Sequence, residues 1–118
     1  FVLFAIGGWA MVVWGVAARV VVGWHTTWFV NSLSHIYGSK PHDTGDDSTN
    51  NWFVALLTFG EGWHNNHHAF PTSARHGLQW FQFDMNWIAI RILEKFGWAT
   101  QIKIPETKTL VPELKHAA

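Results

Sequence analysis

From Phe1 to Ala18 the chain carries no ionisable side chain, and the first one, Arg19, is followed directly by Val20, Val21 and Val22. A run of about eighteen uncharged, mostly apolar residues is the usual threshold for a helix that crosses a bilayer, where every backbone N–H and C=O must be satisfied within the segment. A signal peptide would need a basic start and a small-residue cleavage site, and neither is present. A fully buried helix of a soluble protein is the alternative, but Trp9, Trp14, Trp24 and Trp28 suit the interfacial zones of a membrane. The pattern predicts one long helix from Gly8 to His35, longer than a hydrocarbon core and therefore emerging into water at its C-terminal turns. Arg19 is then either a snorkelling anchor or a buried functional charge. Every other Lys and Arg lies beyond this helix, which orients its C-terminal end toward the cytoplasm or stroma. Because the chain opens on Phe inside an apolar run, it reads as the C-terminal part of a larger protein.

Composition narrows the functional classes. The 118 residues carry a formal net charge of zero and contain no cysteine. Those two facts remove disulfide scaffolds, thiolate metal sites and electrostatic nucleic-acid binding.

Beyond the helix, the segment GSKPHDTGDDSTNN from Gly38 to Asn51 is polar, lacks apolar periodicity and reads as a loop. Asp46, Asp47, Ser48, Thr49 and Asn50 all offer N-caps for a second helix beginning near Asn51. Its apolar stretch, Trp52 to Phe59, is too short to span a bilayer, so the helix is expected to lie in an extramembrane cap and to run into a histidine cluster before Pro71. Asp84 can cap a third helix, amphipathic through Trp87, Ile88, Ile92 and Phe96, with Gly97 as its stop. Residues from Gln101 onward read as irregular. The predicted fold is an all-α membrane protein: a transmembrane helix (residues 1–35), a helical cap carrying the metal ligands (36–100) and a C-terminal tail (101–118).

The cluster is His64, His67 and His68, at positions i, i+3 and i+4 of one helix face. Three imidazoles brought together in this way suit iron, copper, zinc or nickel. Asn31 and His35, also four apart, end the apolar run and add a further imidazole and an amide oxygen, the latter direct or through water. Glu61 precedes His64 by one helical turn, where it is placed to accept a hydrogen bond from an imidazole N–H. The order Glu-x-x-His is not that of the zinc proteases, in which two histidines bracket the glutamate. His25, His42, His76 and His116 sit at a membrane boundary or in irregular segments and are weaker candidates.

These elements together resemble the integral-membrane fatty acyl desaturases, in particular the Δ9-type acyl-CoA and acyl-lipid group, and the likeness covers nearly the whole chain. The His-x-x-His-His box appears in Trp63-His64-Asn65-Asn66-His67-His68-Ala69-Phe70-Pro71, and the Asn-Ser-x-x-His element as Asn31-Ser32-Leu33-Ser34-His35. Gly60-Glu61-Gly62 before the box and Ser73-Ala74-Arg75-His76-Gly77-Leu78 after it look most like the plant and cyanobacterial branch. The resemblance implies a di-iron centre with His35, His64, His67 and His68 as ligands and Asn31 acting through water. It also implies two earlier histidine boxes, which this sequence does not contain, so the chain alone is expected to be an incomplete site. The implied reaction removes two hydrogens from an acyl-CoA or acyl-lipid chain with O2, drawing electrons from cytochrome b5 or ferredoxin. The implied setting is an endoplasmic reticulum, plastid or cyanobacterial membrane, with the cap on the cytoplasmic or stromal side. Two alternatives use the same residues: a histidine-box hydroxylase or monooxygenase, and an inactive truncated desaturase. A metal-transport subunit would place such ligands inside the membrane helices instead.

Overall fold

The computed structural model describes residues 1–105, and within them the chain is helical, with only isolated β-bridges and no strand. Residues 106–118 of the predicted tail, His116 among them, lie outside the described residues.

The apolar run forms helix from Val2 to Leu33, and none of its most apolar window is buried. It is built from α1 (Val2–Val12), a π-helical stretch (Val13–Ala18) and α2 (Arg19–Leu33). Gly7 (φ −150°, ψ 26°) and Gly8 (φ 58°, ψ −153°) break α1. Gly8 occupies a left-handed conformation that a residue with a Cβ resists. The first residues fold back there: the Leu3 side chain packs over Gly15, 3.0 Å from where a Cβ would be. The uninterrupted helix thus starts at the predicted place, and from Trp9 to Leu33 it spans about 37 Å at about 1.5 Å per residue, enough for a hydrocarbon core of about 30 Å. Thr27 and Ser32 return their hydroxyls to carbonyls one turn back, at 3.0 and 2.7 Å, so these polar groups are satisfied within the helix. Arg19 lies on the outside of the helix near Trp14 and Trp24.

The helix ends at Leu33 rather than at His35. Ser34 leaves helical geometry (ψ 2°), and the N–H of Tyr37 closes the end by donating to Leu33 O at 2.9 Å. His35 therefore stands in a turn and escapes the helical face of Asn31. The polar segment that follows is a pinned loop. Thr49 donates to Ser34 O through both N–H and Oγ1, and Ser39 and Asn50 exchange backbone hydrogen bonds at 2.9 and 2.7 Å.

Asn51 caps α3 (Trp52–Leu57), its side chain accepting from the N–H groups of Phe53 and Val54. The predicted continuation into the histidine cluster does not occur. Thr58 ends α3, Phe59 and Gly60 take positive φ (59° and 124°), and a separate α4 (His64–Ala69) carries the box. A break is required because Gly62 lies against the start of α3, where its carbonyl accepts from Asn51 N–H at 2.8 Å. After an irregular segment, Asp84 caps α5 (Met85–Lys95) as predicted, accepting from Trp87 N–H. Gly97 (φ 73°) terminates α5, with its N–H on Glu94 O at 2.9 Å. The described start of the tail is tied down where Ala74 N–H donates to Lys103 O at 2.8 Å.

Among the described residues, more polar than apolar ones are buried. Val30, Val54, Ala55, Trp63 and Leu78 form the apolar core, whereas Ser34, Ser48, Asn50, Thr58, His64, Asn65, Asn66, Ser73 and Asp84 are buried polar groups. The cap is accordingly organised by hydrogen bonds. Asn65 accepts from His42 N–H at 2.8 Å and donates to His42 O at 3.0 Å, and Asn66 donates to His76 O and Gln82 Oε1 while accepting from Asn50 Nδ2. These two asparagines between the histidines hold α4 in place from both sides.

Candidate metal centre

His64 and His68, one turn apart on α4, turn the same way, and His35 meets them from the end of α2. The Nε2 atoms of His35 and His68 each lie 3.1 Å from His64 Nε2. One ligand atom from each of the three lies within 4.8 Å of the others. Metal–imidazole bonds of about 2 Å put neighbouring ligand nitrogens about 3 Å apart, so the spacing is that of imidazoles sharing one ion. Residues 29 positions apart in sequence are brought to that spacing, which a helical repeat alone does not explain.

Burial and the neighbouring rings keep His64 in the ligand form. Burial, reinforced by His68, His35 and His67, pushes His64 from 6.5 to about 4, so it is neutral and carries a lone pair at neutral pH. His67 is lowered as well, by burial first and then by His76. The Nδ1 of His67 is buried with no hydrogen-bond partner among the described residues, an atom for which a metal ion is a suitable partner.

Asp46 lies behind His68, its Oδ2 2.5 Å from His68 Nδ1. The Ser48 hydroxyl and N–H, then the Thr44 hydroxyl, and least of all His68, hold the Asp46 carboxyl well below the usual range. A fixed carboxylate at Nδ1 places the ring proton there and presents Nε2 to a metal. Sequence reasoning assigned Asp46 only to helix capping, and no spacing rule links it to His68. Asp46→Asn is expected to weaken metal binding by about 10–100-fold without loss of helix content. Isothermal titration with Co2+ beside a circular dichroism spectrum checks both parts.

The remaining predicted residues separate. His67 is not among the three residues whose ligand atoms lie within 4.8 Å of one another, and its ring lies 6.0 Å from that of His64 and 5.7 Å from that of His68. It lies closer to His76, at 4.7 Å. Asn31 donates from Nδ2 to Thr27 O at 2.9 Å, leaving Oδ1 as its remaining polar atom. Glu61 stands outside α4, with Oε2 3.6 Å from His76 Nδ1 and Oε1 accepting from Asn86 Nδ2 at 2.8 Å. His25 Nδ1 bonds to its own helix at Val21 O, and the His42 ring packs on Phe70. Neither joins the centre.

The family model for fatty acid desaturase matches residues 1–101. The Acyl-CoA C20 Delta5-desaturase of Anemone leveillei is 56% identical over 103 residues, 87% of this chain and 33% of the relative. The sn-1 stearoyl-lipid 9-desaturase of Synechocystis sp. is 56% identical over 104 residues, 88% of this chain and 33% of the relative. The chloroplastic palmitoyl-monogalactosyldiacylglycerol delta-7 desaturase of Arabidopsis thaliana is 54% identical over 103 residues, covering 87% and 28%. The chain thus spans about a third of the length of these curated relatives. With the family model extending from the membrane helix through the histidine box to the end of the cap, the chain belongs to the fatty acid desaturase family.

Proposed function

We propose that this chain supplies one membrane helix and part of the iron centre of an O2-dependent fatty acyl desaturase that places a cis double bond, at the Δ9 position, in an acyl-CoA or acyl-lipid chain. The observation that carries the reading is the convergence of His35 with His64 and His68 at the end of an apolar helix. His35, His64, His67 and His68 are the proposed ligands, with Asn31 Oδ1 acting through water. Further ligands come from sequence corresponding to the other two thirds of the relatives.

Iron, when bound, would supply the activation of dioxygen. The overall balance is removal of two hydrogens from adjacent methylenes and reduction of O2 to two waters, using two electrons from a carrier and two protons. The carrier is cytochrome b5 or ferredoxin. The chain's own part is to hold neutral imidazoles in place and to keep the acyl chain dry beside them. Trp28 on α2 and the apolar side of α3, joined to α2 through the Phe29–Phe53 edge contact, are the proposed walls. In this arrangement residues 1–35 serve the membrane, 36–100 form the cap on the cytoplasmic or stromal side of an endoplasmic reticulum, plastid or cyanobacterial membrane, and 101–118 are the tail.

A chimera tests the reading. Residues 1–105 would replace the matching segment of the Synechocystis sp. sn-1 stearoyl-lipid 9-desaturase, and lipids from cells expressing it would be analysed for alkene and alcohol. A Δ9 alkene is expected. An iron-loaded, stably expressed chimera that makes hydroxylated lipid would favour the hydroxylase, and one that makes neither product would support an inactive segment.

A further inference from the structure

α5 is turned the opposite way from a helix that packs on a water-soluble core. Met85, Ile88, Ile92 and the C-capping Phe96 fall on one side at helical spacing, and they are 42, 46, 52 and 66% exposed. The half-buried side is the other one, with Trp87, Ile90 and Glu94. Arg91 stays with that side: its guanidinium pairs with the Glu94 carboxylate and lies 5.6 Å from the centre of the Trp87 ring. Lys95 stands at the border between the two sides, and the exposed Trp98 follows Phe96 with the ring centres 5.8 Å apart. A contiguous apolar face of this kind marks a surface that is covered by something other than water.

The level of α5 along the membrane helix identifies the cover. In the first turn of α5 the N–H of Asn86 donates to Phe59 O at 3.1 Å. Phe59 in turn lines a cleft together with Gly23, Thr27 and Val30 of α2. The same two turns of α2 carry the exposed Trp24 and Trp28, whose rings suit the boundary between hydrocarbon and headgroups. α5 thus starts at the height of that boundary rather than out in water, where an amphipathic helix with its apolar side free meets lipid. Asp84 ties α5 to the rest of the cap, because it caps the helix and also accepts from the N–H groups of His76 and Gly77 at 2.8 and 2.9 Å.

We propose that α5 lies flat in the membrane surface, with Met85, Ile88, Ile92 and Phe96 among the lipid chains and Arg91 and Lys95 at the phosphates, and so fastens the cap to the bilayer at a second point. The inference rests on the membrane reading of the helix Val2–Leu33. The long stem of Lys95 lets its ammonium reach the headgroups from the edge of the apolar side.

The chain contains no cysteine, so one introduced cysteine carries one nitroxide label. Depth is read in lipid nanodiscs from collisions with O2, which favours lipid, and with a nickel chelate, which stays in water. Ile88→Cys and Phe96→Cys are expected at equal depth, about 5–10 Å below the headgroups, with Asp47→Cys in water and Val21→Cys deep in lipid. Labels at 88 and 96 as open to nickel as the one at 47 overturn the proposal. So do depths that differ by about 12 Å, which is the rise of an upright helix over eight residues, and labels shielded from both reagents, which assign the face to a second copy of the chain. Should either substitution lower the helix content, Ala89→Cys on the same side takes its place. A Val21→Cys label in water would overturn the membrane reading of the long helix itself. The other two thirds of the protein are the remaining possible cover, and the Synechocystis sp. chimera decides between them and lipid. With p-benzoylphenylalanine in place of Ile92, illumination should give a peptide bearing a lipid adduct, whereas a cross-link to the Synechocystis sp. part of the chimera would overturn the proposal.

Discussion

His64→Ala is expected to lower the Co2+ affinity of the chain by about 100-fold or more, a larger loss than that from removing a ligand's hydrogen-bonded neighbour. His64 is the centre of the trio: its Nε2 lies 3.1 Å from the corresponding atoms of both His35 and His68, so its removal leaves two imidazoles without the ring between them. The change removes no apolar surface from the helix Val2–Leu33, and insertion into the membrane should be unaffected. His25→Ala is the control. That ring bonds to its own helix at Val21 O and stands apart from the trio, so Co2+ affinity should stay within about threefold. Parallel titrations of the two variants in nanodiscs, with helix content measured by circular dichroism, check the contrast. Equal affinity of His64→Ala and the wild-type chain would remove His64 from the ligand set.

Gly62→Ala is expected to destabilise the cap by about 4 kcal/mol or more, among the larger effects of a single substitution. A Cβ at position 62 would sit 2.0 Å from Ala55 N and 2.5 Å from Asn51 O. Both are backbone atoms at the start of α3, so no rotamer change relieves the clash. The shift would also strain the hydrogen bond from Asn51 N–H to Gly62 O, which seats the histidine box against α3. The expected result is a chain that inserts its helix, loses the protease resistance of residues 36–100 and binds Co2+ weakly. Gly45→Ala is the comparison. No atom lies within 4 Å of its added Cβ, so its only penalty is the positive φ of 71°, about 1 kcal/mol. Limited proteolysis of the two variants across a urea series measures the difference, and equal resistance would contradict the close packing at Gly62.

The membrane helix and the cap of α5 were legible because each is a local property. An uncharged run reports its own solvent, and Asp84 ahead of an amphipathic stripe reports its own helix start. The box was legible as a histidine motif, and helical spacing pairs His64 with His68, whose Nε2 atoms lie 3.1 Å apart. Spacing assigns neighbours only along one helix, however. His67 turns from that pair toward His76, and His35 reaches it from a turn that helical periodicity placed inside a helix. The contacts of Asp46 with His68 and of His76 with His67 were not legible, because the hydrogen bonds that fix their loops come from distant residues: His42 and Thr44 from Asn65, His76 from Asp84 and Asn66. The division between α3 and α4 was written in Gly60-Glu61-Gly62, yet only the proximity of α3 shows why a continuous helix is not adopted.

The most direct measurement is X-ray absorption fine structure at the cobalt edge on the nanodisc-embedded chain loaded with one equivalent of Co2+. Imidazoles of His35, His64 and His68 on one ion predict a nitrogen shell near 2 Å together with the outer-carbon scattering of about three imidazole rings. That outer scattering should fall by about one ring in His35→Ala, whose imidazole comes from outside the box. A shell of oxygen alone, or a spectrum unchanged in His35→Ala, would contradict the convergence of the two histidine elements on a single metal.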